Sequence, residues 1–251
     1  MKVLGVIPAR YASTRFPGKP LVDIQGKTMI QRVYEQAMKA KSLSKVIVAT
    51  DDERIFNHVK SFKGEVMMTS DVHQSGTDRC AEVINQLSSE AFDAVVNIQG
   101  DEPFINPSQI DSVVEVLKKE QFMIATLVKR IIVTANEMRQ EGVILNPNIV
   151  KAVFSSEGKA LYFSRSPIPY LRNIPTDEWL SKGEFYKHIG LYAYKSSVLK
   201  EIALLPPSRL EQLESLEQLR WLENGYAIGI AEKNLETIGI DTPEDLLKVN
   251  F

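Results

Sequence analysis

Arg10, Arg15 and Lys19 fall within ten residues of one another, interleaved with Ser13, Thr14 and Gly18. Fixed positive charge, hydroxyl donors and a glycine that lets the backbone approach a ligand are the groups with which a chain grips a polyphosphate. Charge alone also fits a solvated loop, but the run before it counts against that reading. Val3, Leu4, Val6 and Ile7 are apolar and Pro8 ends regular pairing, so the cations emerge where a buried parallel strand stops. Open α/β sheets bind their ligands at such strand ends. Two common phosphate loops are excluded. Gly26-Lys27-Thr28 ends like a Walker A loop, but Leu21 stands where that pattern needs glycine, and no Gly-x-Gly-x-x-Gly follows a strand.

A second group, Asn97-Ile-Gln-Gly-Asp-Glu-Pro103, closes another apolar strand with a carboxylate. Magnesium takes one or two carboxylates and fills its remaining positions with phosphate oxygens and water, so Asp101 opposite a triphosphate grip is a candidate Mg²⁺ ligand. In Gly239-Ile-Asp-Thr-Pro-Glu-Asp245, Thr242, Pro243 and Asp245 make a helix start by themselves. That leaves Asp241 either as a second metal ligand or as an anion near a helix dipole. In Gln74-Ser-Gly-Thr-Asp-Arg79, Ser75 or Thr77 can cap a helix, and Gly76 lets a backbone amide approach a planar base. Arg165 and His188 sit at strand ends, where a surface ion pair and a structural histidine are the ordinary readings. At about 100° per residue, a helix from Glu211 to Glu223 puts Glu211, Glu214, Ser215 and Gln218 on a polar side. That side faces water, or it faces the hydroxyls of a sugar.

The elements that must carry these groups alternate. Helical spacing at Met29–Ala37 is followed by a strand at Val46–Ala49, a helix at Asp51–Phe62 and a strand at Val66–Met68. Then come a helix at Thr77–Leu87, a strand at Ala94–Ile98 and a helix at Pro107–Lys119. That order predicts parallel strands with crossover helices. From about Met123 the pattern changes to longer strands, Ile149–Ser155, Ala160–Ser164 and His188–Tyr194, with a polar, exposed-looking excursion at Leu171–Lys187. Strands around Ile228 and at Thr237–Ile240 and a helix after Thr242 close the chain. Of 251 residues, 44% are hydrophobic, enough for one substantial core, and a net charge of −2 argues against nucleic acid or anionic membrane as a partner. Cys80 is the single cysteine, which excludes an internal disulfide, and no cysteine and histidine cluster offers a zinc site. No signal-like or membrane-spanning stretch is evident, so the cytoplasm is the expected compartment.

Pro8-Ala-Arg-Tyr-Ala-Ser-Thr-Arg-Phe-Pro-Gly-Lys-Pro-Leu21, Gln74–Arg79, Asn97–Pro103, Leu161-Tyr-Phe-Ser-Arg165, His188-Ile-Gly-Leu-Tyr192, Leu216-Glu-Gln-Leu-Arg220 and Gly239–Leu246 together closely resemble the 3-deoxy-manno-octulosonate cytidylyltransferases, or CMP-Kdo synthetases. The loop alone would also fit sialic acid cytidylyltransferases. The resemblance implies transfer of CMP from CTP to Kdo with release of pyrophosphate, dependent on Mg²⁺, in the cytoplasm of bacteria making lipopolysaccharide. It implies a homodimer with a three-layer, Rossmann-like α/β fold: a mixed, mostly parallel sheet of the nucleotide-diphospho-sugar transferase type. Residues 1–251 would form one nucleotidyltransferase domain, with about 123–195 including a sugar-binding and dimerisation lobe. Carried over residue by residue, Arg10, Ser13, Arg15 and Lys19 hold the triphosphate, and Ser75, Gly76, Arg79 and Gln99 surround the cytidine. Asp101 and Asp241 bind Mg²⁺, Lys19 and Arg15 join them in catalysis, and Arg165, His188, Tyr192, Glu211, Glu214 and Gln218 lie on the sugar side. Leu171–Lys187 matches no motif of the family. Two rivals remain: a cytidylyltransferase for another acidic sugar, such as sialic acid or an amino analogue of Kdo, and a noncatalytic nucleotide sensor.

Overall fold

The buried residues of the first strand alternate between two cores, and this places the sheet at the centre of the molecule. In β1 (Val3–Ala9), Val3, Ile7 and Ala9 face one apolar cluster, while Leu4 and Val6 face the other. A strand's side chains alternate with period two, so a run apolar at nearly every position must be covered on both sides. The structure, a computed structural model, describes residues 1–12, 16–132, 141–235 and 239–247.

After β1 the strands are β2 (Asp23–Ile24), β3 (Lys27–Thr28), β4 (Lys45–Thr50), β5 (Val66–Met68), β6 (Ala94–Asn97) and β7 (Ile124–Arg130). They continue with β8 (Lys151–Phe154), β9 (Ala160–Ser164), β10 (Tyr186–Lys195) and β11 (Ile228–Glu232). The helices are α1 (Met29–Ala37), α2 (Glu53–Ser61), α3 (Gly76–Gln86), α4 (Pro107–Leu117), α5 (Glu141–Leu145), α6 (Trp179–Lys182), α7 (Ser196–Ile202), α8 (Arg209–Glu214), α9 (Glu217–Glu223) and α10 (Pro243–Leu247). The main sheet runs β11-β7-β10-β6-β1-β4-β5. Pairing is parallel except along β10, which is antiparallel to β6, β7 and β8, and the β8–β9 hairpin hangs from it. Residues of α1, α2 and α4 cover one face, and residues of α3, α7 and α9 the other. The architecture is therefore a three-layer α/β fold with a mostly parallel sheet, as expected.

The sequence reading lacked β7, the β2–β3 hairpin, α5 and α7, and three of the segments it did assign need comment. The helix expected from Glu211 to Glu223 is two helices, because Ser215 takes a left-handed conformation (φ 51°, ψ 51°) between α8 and α9. The excursion Leu171–Lys187 is not wholly exposed. It carries a 3₁₀ turn at Thr176–Glu178 and α6, and it buries Trp179 and Phe185 against Ile144, with Leu171, Ile174 and Leu180 around them. The strand expected at Thr237–Ile240 lies partly outside the described residues, and Gly239 and Ile240 belong to no strand. Among the described residues no helix is long and apolar enough to cross a membrane.

Candidate active site

A cavity of about 400 Å³ opens over the ends of β1 and β6 on the α3 side of the sheet. The loop after β1 supplies one wall. Gly18 adopts a left-handed conformation (φ 73°), which an L side chain resists, and its N–H closes the loop on the Tyr11 carbonyl at 3.0 Å. A 3₁₀ turn then starts at Lys19 with Pro20 in its first positions, pointing the lysine inward, where its side chain is only 14% exposed.

The opposite wall depends on Gly100. A Cβ there would stand 2.6 Å from the Pro8 carbonyl oxygen, so only glycine lets the turn after β6 press against the end of β1. That approach brings the Asp101 carboxylate to 2.8 Å from Lys19 Nζ. Asp241 reaches the same ammonium at 3.2 Å from 222 residues further along the chain. The Ile240 N–H donates to the Asp101 carbonyl, and Ile240 is buried with Ile24 and Met29. The Asp245 carboxylate accepts from the Asp241 and Thr242 N–H groups and so caps α10. Two carboxylates from distant segments thus converge on one cation position. Among the described residues no group of three or more His, Cys, Asp or Glu could hold a metal unaided, and a pair completed by phosphate oxygens is the donor set that suits Mg²⁺.

The floor is the N-terminus of α3. Ser75 caps the helix, accepting from the Asp78 N–H while the Asp78 carboxylate accepts from the Ser75 N–H, and this aims the positive end of an 11-residue helix at the cavity. Arg79 is buried at 3% exposure, donating to Asp51 at 2.8 Å and to Thr69 at 2.5 Å, so it ties the ends of β4 and β5 to α3 while lining the cavity. Gln99 donates from Nε2 to the Gly190 carbonyl at 2.8 Å, inside a bulge where β10 slips against β7.

Among the described residues, three buried oxygens of this wall have no hydrogen-bond partner: Asn97 Oδ1, Tyr192 Oη and Glu217 Oε1. Buried polar atoms are nearly always paired, so these three mark where the wall falls short of full pairing, with the Thr126 hydroxyl near Tyr192 and the Ser75 hydroxyl near Glu217. Burial pushes the Glu217 carboxyl above its usual range, against the Thr77 hydroxyl that donates to its other oxygen at 2.9 Å. Behind them Tyr192 and Tyr194 stack at 6.0 Å, each meeting Trp221 edge-on. Burial raises both phenols far above their ordinary value.

Residues 4–237 match the family model described as cytidylyltransferase. The chain is 57% identical over 248 residues to a 3-deoxy-manno-octulosonate cytidylyltransferase of Parabacteroides distasonis, covering 99% of this chain and 96% of the relative. The same enzyme of Bacteroides thetaiotaomicron is also 57% identical, over 98% of this chain and 96% of its own. A solved structure titled CMP:2-keto-3-deoxy-manno-octonic acid synthetase complexed with CTP superimposes with a TM-score of 0.87 at 44% identity, covering 99% of this chain and 97% of that one. This chain is a 3-deoxy-manno-octulosonate cytidylyltransferase by family. A Leptospira borgpetersenii cytidylyltransferase, 17% identical with a TM-score of 0.59, shares the fold alone.

Of the residues expected to act, the structure of this cytidylyltransferase brings Arg10, Lys19, Ser75, Gly76, Arg79, Gln99, Asp101, Tyr192 and Asp241 to one cavity. Ser13 and Arg15 lie outside the described residues. Arg165, His188, Glu211, Glu214 and Gln218 do not line it. Arg165 spends its guanidinium on the carbonyls of Pro147, Glu214 and Ser215, and the Glu214 carboxylate accepts from Ser164 Oγ and the Arg165 N–H. Glu211 pairs with Arg220 at 2.5 Å and caps α8; burial pushes its carboxyl up, but the Arg220 pair and the Ser208 N–H leave it below its usual range. Gln218 is buried beside Glu217. His188 packs edge-on against Phe163, and burial drives its ring down to about 3. Sequence reasoning missed Glu217, Asn97 as a wall residue, and Tyr194. The angle count treated residues 211–223 as one helix, and the break at Ser215 resets the phase, turning Glu217 toward the cavity.

Proposed function

We infer that this enzyme transfers CMP from CTP to the anomeric hydroxyl of 3-deoxy-manno-octulosonate (Kdo), giving CMP-Kdo and pyrophosphate. The observation that carries the site assignment is the meeting of Lys19, Asp101 and Asp241 beside the N-terminus of α3 in one cavity. The sugar oxygen bonds to the α-phosphorus as the bond to pyrophosphate breaks, so the protein's task is to position groups and offset charge. Arg10, Lys19 and the α3 N–H groups bind the triphosphate. Gly76 and Gln99, with Arg79 behind them, shape the wall for the cytidine, and the oxygens of Asn97, Tyr192 and Glu217 would take up ligand hydroxyls or amines as the wall adjusts to nucleotide. Lys19 holds positive charge where negative charge builds on the α-phosphate and the leaving group. Asp101 and Asp241 would hold Mg²⁺, which when bound neutralises phosphate charge and acidifies a hydroxyl.

The product would serve lipopolysaccharide assembly, in the cytoplasm, from a homodimer. Arg165, His188, Glu211, Glu214 and Gln218 would bear on the sugar through the α8 and α9 wall, since Glu214 and Gln218 flank the segment that delivers Glu217. The deciding assay is pyrophosphate release from CTP and Mg²⁺ with Kdo, with sialic acid and with no sugar. Release with Kdo alone is expected. Release only with another acidic sugar would overturn the substrate, and absence of release in every arm would favour the nucleotide sensor.

A further inference from the structure

Lys19 stands where its two proposed tasks conflict. Its ammonium donates to Asp101 at 2.8 Å and to Asp241 at 3.2 Å, which is the gap between the carboxylates that a shared divalent cation needs. Magnesium binds oxygen at about 2.0 to 2.1 Å and tolerates little departure from octahedral geometry, so it cannot share that gap with an ammonium bonded to the same oxygens. Two cations side by side there also repel each other across a partly buried wall, where the Lys19 side chain is 14% exposed and that of Asp101 is 30% exposed.

We propose that Lys19 and the divalent cation exchange: Lys19 guards the Asp101–Asp241 pair until nucleotide arrives, then swings onto the phosphates and yields the pair to the ion. The chain is built for such a swing. The Gly18 N–H bond to Tyr11 and the Leu21 N–H bond to Gly18 pin the backbone on either side of Lys19, while a lysine's four-carbon stem pivots freely. The N-terminus of α3 and Arg10, which line the same cavity, gather the phosphates that the ammonium moves toward. Metal and CTP binding are then linked, and linkage is reciprocal: each raises the other's affinity by the same factor. In the absence of nucleotide the ion binds weakly because it must first displace an internal competitor.

This inference rests on Asp101 and Asp241 as the metal pair, and its test separates the two claims without using turnover. Mn²⁺, which oxygen ligands also accept, is titrated against the nucleotide-free chain by electron paramagnetic resonance of the free ion. Lys19→Met should bind Mn²⁺ about tenfold more tightly than wild type, and the further gain on adding CTP should shrink. Arg10→Met removes a cavity cation that makes no contact with the carboxylates and should change nucleotide-free Mn²⁺ affinity far less. Equal gains in both variants would reduce the effect to general charge and overturn the exchange. Asp101→Asn binding Mn²⁺ as wild type does would overturn the metal pair itself. A second arm needs no variant. Acylation of lysines in the wild-type chain, read by mass spectrometry, should show Lys19 protected, unmasked several-fold by Mn²⁺ alone, and protected again by Mn²⁺ with CTP. Lys19 reactivity unmoved by Mn²⁺ would overturn the exchange.

Discussion

A single ammonium, that of Lys19, meets two carboxylates, and the proposed reaction asks it to meet phosphates as well. Loss of one preorganised electrostatic donor commonly costs about 2.7 to 4 kcal/mol in the transition state, so Lys19→Ala should slow turnover roughly a hundredfold or more. Pyrophosphate release at saturating CTP measures it, and unchanged turnover would remove Lys19 from the reaction. Glu217 makes a different prediction. Among the described residues its Oε1 has no geometric hydrogen-bond partner, and hydrogen bonds to charged groups contribute about 1.5 to 3 kcal/mol. Glu217→Leu should therefore raise one substrate's KM roughly tenfold or more, and the conservative Glu217→Gln should restore part of it. These residues were unequally legible. Lys19 and Asp101 follow apolar strands and could be placed by strand ends alone. Glu217 could not, because its direction depends on a left-handed residue that a continuous angle count does not contain.

At the scale of elements, local chemistry predicted the parallel half well, because caps and apolar runs there agree with the tertiary contacts. Ser75 with Asp78 and Asn106 with Gln109 form full capping boxes, and Pro107 opens α4. The second half was harder, since β10 carries a bulge between Ile189 and Tyr192 that no period shows. Thr126 fills that bulge. Its hydroxyl lies 2.9 Å from the Leu191 carbonyl and 3.1 Å from the Ile189 carbonyl, so its one hydrogen goes to a carbonyl and the Nε2–H of neutral His188, at 2.9 Å, donates to it. This histidine fixes a pH dependence. Its ring falls from an ordinary 6.5 to about 3 in the folded chain, so below about pH 6.5 the unfolded chain takes a proton that the native one refuses. Stability from this source is complete above pH 6.5 and drains as pH falls toward 3, by at most about 1.4 kcal/mol per unit. In urea unfolding at about pH 7.5 and about pH 5, His188→Gln should lose less stability between the two than wild type. The core offers a companion check in Cys80, which is fully buried in α3 with its thiol pushed up by that burial. The native chain should react with no equivalent of a thiol reagent, and the urea-unfolded chain with one.

For the whole molecule, the sheet sets the active site at one rim and leaves a separate apolar region beyond β7 and β10. Trp179 and Phe185 stack at 5.9 Å over Ile144 and build a small core of their own. Its edge is uncovered: Ile132 is 56% exposed, Leu145 51% and Tyr170 76%, each adjoining a member of that core. Ile132 follows Ile131, Leu145 follows Ile144, and the Tyr170 ring lies 5.1 Å from Trp179. Scattered exposed apolar residues need no explanation, but three around one satellite core mark a surface suited to association. The polar composition of Leu171–Lys187 concealed this in the sequence, because its few apolar residues bury at irregular spacing. If this edge joins two copies of the chain, light scattering should give twice the 28.3 kDa of one chain. Leu145→Asp with Tyr170→Glu should shift that mass toward one chain, since each buried apolar side chain lost removes about 1.5 to 3 kcal/mol and each added carboxylate must be desolvated. Near-ultraviolet circular dichroism from Trp179 should be retained in the variant, which separates a lost contact from a lost fold. A variant that stays at twice the mass would move the dimer contact elsewhere on the surface.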